Sequence, residues 1–182
     1  MKYRGAIFFF VGVAAALALG WIGFPRVIYA RRVQPVNFSH KVHAETAGSK
    51  CEDCHTLRAD GSFAGIPGLA QCAGCHTAPM GSTVAEKKFI DEYVTPKREI
   101  AWAVYSQQPI NVYFSHAPHL KLANLKCEKC HGDEGHADGP RVYEQDRIGG
   151  YPRDVWRSML MKDCIRCHHQ NGLEHSCLDC HK

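Results

Sequence analysis

The chain has 182 residues, of which 45% are apolar and 22% charged, with ten cysteines, twelve histidines and a formal net charge of +4. The positive charge is concentrated at the N-terminus, where Lys2, Arg4, Arg26, Arg31 and Arg32 precede every acidic residue. The rest of the chain has 17 basic and 18 acidic residues. No basic field therefore remains that would indicate nucleic-acid binding.

An uncharged apolar stretch opens the chain. Residues 6–24 contain no charged side chain over 19 positions, and a helix of that length nearly spans a hydrocarbon core of about 30 Å. A cleaved signal peptide is the alternative, but its apolar region is usually about 7–15 residues long. We therefore expect residues 1–33 to form an uncleaved transmembrane anchor with a basic juxtamembrane segment, and Trp21 and Tyr29 to lie at the membrane interfaces.

Every cysteine belongs to a Cys-x-x-Cys-His string, the attachment signature of c-type haem. Two thiols on one short turn add to the two vinyl groups of a haem, and the adjacent histidine ligates the iron. Zinc sites also combine cysteine pairs, but they do not require a histidine directly after the second cysteine. We predict five covalent haems, attached to Cys51 and Cys54, Cys72 and Cys75, Cys127 and Cys130, Cys164 and Cys167, and Cys177 and Cys180.

These haems indicate both the compartment and the fold. Haem c is attached outside the bacterial cytoplasmic membrane, so we expect the N-terminus inside and the haem domain in the periplasm. About 149 residues follow the anchor, or roughly 30 per haem, which is too little protein for an ordinary apolar core. We predict a haem-cored, mostly irregular fold with short α-helices at the attachment motifs, plus one N-terminal transmembrane helix.

An internal repeat divides the haem domain. Residues 36–55 (VNFSHKVHAETAGSKCEDCH) and 112–131 (VYFSHAPHLKLANLKCEKCH) align without a gap at an offset of 76. The FSHxxH segment and the haem motif recur at equivalent positions, which indicates duplication. We predict a first haem module with two haems and a linker over residues 34–111, and a second module with three haems over residues 112–182.

Each predicted haem has a proximal histidine and needs a sixth ligand. The proximal residues are His55, His76, His131, His168 and His181. His40, His43, His116 and His119 recur as spaced pairs upstream of a haem motif and are predicted axial ligands. His169 directly follows a proximal histidine, so we expect it to ligate a neighbouring haem; His136 and His175 are further candidates.

Two alternatives concern this ligand set. Methionine ligation by Met80, Met159 or Met161 would raise the haem potential. Twelve histidines exceed by two the ten that five bis-histidine haems require. The two spare histidines are either surface residues or ligands of a sixth, non-covalent haem.

The remaining segments contain no catalytic arrangement. The run AEKKFIDEYV places Phe89, Ile90, Tyr93 and Val94 on one helical face, for which core packing is expected and a partner surface is the alternative. Residues 100–110 are predicted to be extended. Asp154 is predicted to cap a helix whose Val155, Trp156, Met159 and Leu160 face the haems. The short spacing of the last two motifs predicts that their haems are neighbours.

The FSHxxH segments, the motifs that follow them and the CIRCHH sequence resemble class III cytochromes c. The order of span, two-haem half and three-haem half resembles the membrane-anchored multihaem subunits of the quinone reductase complex and of alternative complex III. The resemblance implies a class III fold, with His40 serving the haem of His55, His116 that of His131, and His43 and His119 other haems. It also implies molybdopterin-oxidoreductase-like, iron–sulfur and polytopic quinone-binding subunits as partners, and a soluble periplasmic tetrahaem cytochrome c.

We therefore expect an electron-transfer subunit of a membrane respiratory complex, relaying electrons between a soluble cytochrome and quinone-reactive subunits. The principal alternative is a NapC/NirT-type quinol dehydrogenase that contacts the quinone directly; a tethered carrier without a complex is another. A multihaem nitrite or hydroxylamine reductase would need an open coordination position, whereas this chain has enough histidines to fill every position.

Overall fold

The computed structural model describes residues 3–62, 65–150 and 159–181. The chain opens with a continuous helix formed by α1 (Arg4–Ala18), a π-helical turn (Leu19–Gly23) and α2 (Phe24–Ile28). The most apolar 18-residue window of this 25-residue helix has a mean hydropathy of 2.3, and none of that window is buried. An apolar surface on all sides is typical of a membrane span or a signal sequence.

A small antiparallel sheet follows the helix. Strand β1 (Tyr29–Arg32) pairs with β2 (Tyr143–Asp146), so that Tyr29 lies opposite Asp146 and Arg32 opposite Tyr143. The Arg147 amide continues the ladder by donating to the Ile28 carbonyl oxygen at 2.8 Å. The end of the apolar helix is therefore joined by backbone hydrogen bonds to a segment more than a hundred residues later.

Short helices form at the cysteine motifs, as the sequence predicts. They are α3 (Cys51–Cys54), α4 (Leu69–Ala73), α6 (Glu128–His131), α7 (Met161–Gln170) and α8 (Cys177–Cys180). One π-helical turn follows each FSHxxH serine, at Val42–Thr46 and Pro118–Leu122, and a 3₁₀ turn spans Glu134–His136. The prediction of a mostly irregular chain with short helices at the motifs is confirmed.

Aspartates inside two motifs explain why such short helices form. The backbone amide of Lys50 donates to Asp53 Oδ2 at 2.7 Å, and that of Ser176 donates to Asp179 Oδ2 at 2.6 Å. Each aspartate is the third residue of its helix and satisfies a backbone donor at the start of the helix, which is half of a capping box. The sequence Cys-x-Asp-Cys-His thus encodes its own helical turn.

The apolar core is small and lies between the second motif and the linker. Helix α5 (Val84–Phe89) and the π-helical turn Ile90–Val94 bury Phe89, Ile90 and Tyr93 against Leu69 and Ile100, which confirms the predicted core face. Within the described ranges only six apolar side chains are buried. A core of this size is too small for the chain length, which fits a fold completed by bound haem.

Two further sequence-based predictions concern the local structure of residues 100–110 and 152–163. Residues 101–109 form neither helix nor strand; the Gln34 side chain pairs with both the amide and the carbonyl of Ala103, at 3.0 and 2.8 Å. The predicted helix over residues 152–163 is wrong for Met159 and Leu160, because Leu160 has an extended backbone and α7 begins only at Met161. Asp154, Val155 and Trp156 lie outside the described residues.

Candidate haem sites

The first histidine of each FSHxxH segment lies opposite the proximal histidine of its own motif. The ring centres of His40 and His55 are 6.3 Å apart with an interplanar angle of 18°, and those of His116 and His131 are 6.4 Å apart at 10°. Metal–imidazole bonds of about 2.0–2.1 Å, plus roughly 1 Å from each nitrogen to its ring centre, require about 6 Å between ring centres. Both pairs therefore fit an iron ligated by two imidazoles.

The second histidine of each segment lies opposite the proximal histidine of the next motif along the chain. The ring centres of His43 and His76 are 6.0 Å apart at 57°, and those of His119 and His168 are 6.1 Å apart at 21°. Each repeat thus uses its two FSHxxH histidines in the same way. The structure brings together four of the five proximal histidines with the four histidines that the repeat singled out.

Backbone carbonyl groups orient the second histidine of each pair. His43 Nδ1 lies 2.8 Å from the Ser39 carbonyl oxygen, and His119 Nδ1 lies 2.8 Å from the Ser115 carbonyl oxygen. Both contacts join residues four apart within one helical turn. A ring that donates from Nδ1 leaves its Nε2 lone pair available for a metal.

The phenylalanine of each segment packs against both histidines. Phe38 is stacked on His43 with ring centres 4.3 Å apart, and its edge contacts His40 at 4.8 Å. Phe114 contacts His119 and His116 in the same way, at 4.9 Å in each case. One aromatic ring therefore restricts two imidazoles, which explains why Phe, Ser and two histidines recur together in the sequence.

Burial favours the protonation state that a metal ligand needs. It lowers the pKa of the imidazoles of His40, His55, His116 and His131, because a charged ring is poorly solvated there. Neutral imidazole is the form that binds a metal. The buried Nδ1 atom of His40 has no hydrogen-bond partner among the described residues.

A carboxylate holds the proximal histidine of the second motif. His76 Nδ1 donates to Glu86 Oε1 at 2.9 Å, and the same carboxylate accepts the amide hydrogens of Met80 at 2.7 Å and Gly81 at 2.9 Å. The hydrogen bonds from these amides lower the pKa of Glu86, and the one from the Met80 amide has the largest effect. The motif search did not identify Glu86; Thr83-Val-Ala-Glu86, a capping-box pattern, was the available signal.

The fifth proximal histidine lacks a comparable partner. In the ranges that the structure describes, no histidine ring contacts the His181 ring. His175 lies 6.0 Å from His168 at 68°, and His169 is exposed on α7. His136 Nδ1 is hydrogen-bonded to Asp133, and its side chain is 65% exposed.

The methionine alternatives receive no support from the described contacts. Met80 is 73% exposed and Met161 is 63% exposed. The Met80 contribution to the second site is its backbone amide, which donates to Glu86. No contact of Met159 with a proximal histidine is found in the described part of the chain.

The five motifs form a continuous series in space. Gln71 of the second motif's helix donates to the Cys54 carbonyl oxygen at 3.2 Å, and Cys127 lies close enough to Cys51 that, after burial, it raises the pKa of the Cys51 thiol. Burial and then Cys167 raise the pKa of Cys130, while burial, Cys130 and Cys180 raise that of Cys164. One hydrogen bond and the proximity of these thiols therefore place the motifs in the order second, first, third, fourth, fifth.

The backbone provides a further connection at the fifth motif. The Tyr113 amide donates to the Cys180 carbonyl oxygen at 2.8 Å, and Val112 forms an antiparallel bridge with His181. The last motif is thereby joined to the start of the second repeat.

The pairs of cysteines and opposed imidazoles define a cytochrome c, and comparison with known proteins identifies its class. The family model of the class III cytochromes c matches residues 25–101. Over 193 aligned residues, covering 98% of this chain and 90% of the relative, the sequence is 41% identical to the "Menaquinone reductase, multiheme cytochrome c subunit" of Nitratidesulfovibrio vulgaris strain Hildenborough. The chain belongs to the class III cytochrome c family and is a multihaem cytochrome c.

These findings confirm the resemblance seen in the sequence. They also confirm the fold class, the expectation of covalent c-type haem, and the expectation of an electron-transfer subunit that is not itself the catalyst. Haem iron in such a protein supplies one-electron transfer. The residues described above supply the thiol attachment points and the opposed imidazoles that hold it.

Proposed function

We propose that this protein relays electrons between a soluble periplasmic cytochrome c and a quinone-reactive complex of the cytoplasmic membrane. The observation that carries the proposal is the unbroken spatial series of five attachment motifs. Such a series suits transfer along the chain, because it presents two separate ends at which donor and acceptor can dock. The name of the relative, a menaquinone reductase subunit, supports this assignment.

The proposed haem content is five covalent haems with predominantly bis-histidine ligation. His40 with His55, His43 with His76, His116 with His131 and His119 with His168 are the proposed axial pairs. We assign His119 to the fourth site because it repeats the arrangement of His43 and His76, in which the second FSHxxH histidine faces the proximal histidine of the next motif. His169, His175 and His136 are the candidates for the fifth site. Bis-histidine ligation holds iron at a lower potential than histidine–methionine ligation.

We propose that the two haem modules meet at the repeat-related motifs. Cys127 is one of the groups that raise the pKa of Cys51 after burial, and His131 is one of the groups that lower the pKa of His55 after burial and His40, so the two motifs lie close together. The modules over residues 34–111 and 112–182 would then each contribute a continuous part of the series. Donor and acceptor would dock near the second and the fifth motif, at the two ends.

The partners follow from the single helix at the N-terminus. We propose that the helix over residues 6–24 anchors the chain in the cytoplasmic membrane with its N-terminus inside and its haem domain in the periplasm. One helix cannot enclose a quinone with its own walls. The quinone site would therefore belong to a polytopic subunit, and the resemblance to the quinone reductase complex implies iron–sulfur and molybdopterin-oxidoreductase-like subunits beside it.

The experiment compares the full-length cytochrome purified alone with the assembly extracted from membranes in mild detergent. Electron transfer to a menaquinone analogue is followed optically, with a reduced soluble tetrahaem cytochrome c as donor. We expect the assembly to react and the isolated chain to bind haem yet leave the quinone unchanged. Comparable quinone turnover by the isolated chain would contradict the proposal and support a quinol dehydrogenase of the NapC/NirT type.

A further inference from the structure

The first turn of helix α5 places a mostly buried carboxylate against the proximal histidine of the second motif. Glu86 and His76 are joined by a hydrogen bond of 2.9 Å between Oε1 and Nδ1, and their side chains are only 11% and 22% exposed. His76 is the residue that directly follows Cys75. A carboxylate that contacts the outer nitrogen of a haem ligand can influence the iron through that ligand.

Several hydrogen bonds from neighbouring groups hold Glu86 in place. Its two carboxylate oxygens accept the amides of Met80 and Gly81, and its own amide donates to Thr83 Oγ1 at 3.1 Å. The chain therefore turns back on itself between residues 80 and 86 and encloses the carboxylate. Because these contacts are all to backbone groups or to the cap of α5, the carboxylate has little freedom to leave His76.

The partner of His76 differs in kind from those of two other ligand histidines. His43 and His119 have their Nδ1 atoms on the backbone carbonyl oxygens of Ser39 and Ser115. A hydrogen bond to a carboxylate is charge-assisted and roughly twice as strong as one to a neutral acceptor. It raises the basicity of the ligand nitrogen, and the ferric state gains more from a basic ligand than the ferrous state does.

We propose that Glu86 is a positioning residue that orients His76 and lowers the midpoint potential of the haem attached at Cys72 and Cys75. The proposal rests on the proposed role of His76 as an axial ligand. It assigns a function to the linker after the second motif, which contains no cysteine or histidine of its own. The affected haem belongs to the motif at one end of the series.

The test uses the full-length, haem-loaded protein and the substitution Glu86→Gln, which removes the charge and keeps the shape. An optical redox titration should show one component shifted upward. We expect a shift on the order of tenfold in the reduced-to-oxidised ratio at a fixed potential, or about 59 mV for a one-electron couple. The low-spin electron paramagnetic resonance signal of the same haem should move as well.

A matched variant separates this effect from a general change of surface charge. Glu92→Gln removes an exposed charge elsewhere on the same segment, where Glu92 lies 4.0 Å from Arg98. We expect this variant to move no potential. An equal shift in Glu92→Gln would overturn the proposal, because the effect would then arise from surface charge alone.

The remaining outcomes are also decisive. Unchanged midpoint potentials in a Glu86→Gln protein with full haem content would contradict the proposed effect of Glu86 on the haem. If that variant fails to retain haem, Glu86→Asp keeps the charge but shortens its reach, and a potential equal to the wild type would overturn the proposal. A wild-type protein without haem on Cys72 and Cys75, established by peptide mass spectrometry, would instead overturn the ligand assignment of His76.

Discussion

Phe38 and Phe114 show how a single side chain can organise two ligand sites. Each ring contacts the first histidine of its segment with its edge and the second with its face. The serine between them offers a backbone carbonyl group to the second histidine. Because the same three contacts recur in both repeats, the FSHxxH sequence is a geometric unit and not only a pair of ligands.

Substitution of a single distal histidine should change one haem alone. We expect His116→Met to raise the potential of one component, because thioether ligation favours ferrous iron relative to a second imidazole. His116 lies opposite His131 with ring centres 6.4 Å apart. A flexible methionine side chain at residue 116 can reach the iron position between the two rings. A redox titration monitored in the visible region is the measurement.

The control for this variant is Leu122→Met, which adds a methionine at an 85% exposed position of the neighbouring turn. It should leave every potential unchanged. If no component of His116→Met moves upward while the haem content stays complete, His116 is not the ligand of the haem at His131.

At the scale of elements, the sequence predicted those helices and turns that depend on contacts between residues close together in the chain. The helical face of Phe89, Ile90 and Tyr93 and the turns at the cysteine motifs depend on contacts a few residues apart, so spacing alone reveals them. The pairing of β1 with β2 depends on residues more than a hundred positions apart. Neither YARR nor YEQD shows the apolar alternation that identifies a strand.

The residues of the candidate sites also fall into two groups: those that motif spacing predicts and those that only the tertiary fold brings together. The cysteines, the proximal histidines and the repeated distal pairs follow from motif spacing, but which distal ring faces which motif depends on the tertiary fold. Glu86 contacts His76 across ten residues, and no haem motif contains it. Spacing alone does not select the partner of His181 either, since His136 in a 3₁₀ turn, His169 on α7 and His175 after α7 are all available for it.

One tight contact between elements can be tested directly. Gly61 has φ +83°, and a Cβ built on it would lie 2.5 Å from Ala117 Cβ and 3.3 Å from Lys121 Nζ. The loop after the first motif therefore packs against the second FSHxxH turn. We expect Gly61→Ala to lower the free energy of unfolding by about 1–3 kcal/mol or more, through backbone strain and the clash together.

The matched control is Gly48→Ala, at φ +70° with no atom within 4 Å of its Cβ. This variant has the backbone strain without the clash. Guanidinium unfolding of both haem-loaded variants, followed by tryptophan fluorescence, gives the difference. Equal destabilisation would show that the packing of the loop against Ala117 contributes nothing to stability.

At the scale of the molecule, the described contacts join the two repeats. The Lys41 amide donates to the Ala137 carbonyl oxygen at 3.1 Å, and Lys41 Nζ lies 3.7 Å from Asp138 Oδ1. The β1–β2 pairing connects the apolar helix to the second half of the domain. The helix is thus hydrogen-bonded to the segment between the third and fourth motifs.

The histidine inventory predicts the total haem content. Four proximal histidines face the four FSHxxH histidines, so His136, His169 and His175 remain for the single site of His181. Two of them are then spare. The exposed His136, whose Nδ1 and Nε2 lie near Asp133 and Glu45, has the contacts of a surface residue.

We therefore expect five haems per chain, all of them covalent. A pyridine haemochrome assay on the full-length protein should give a ratio of five, and acid acetone should extract no haem, because thioether bonds survive that treatment. The matched variant is His136→Ala, for which we expect the same ratio and an unchanged visible spectrum. A ratio of six, with one haem extracted by acid acetone and lost in His136→Ala, would show that the spare histidines bind a sixth haem.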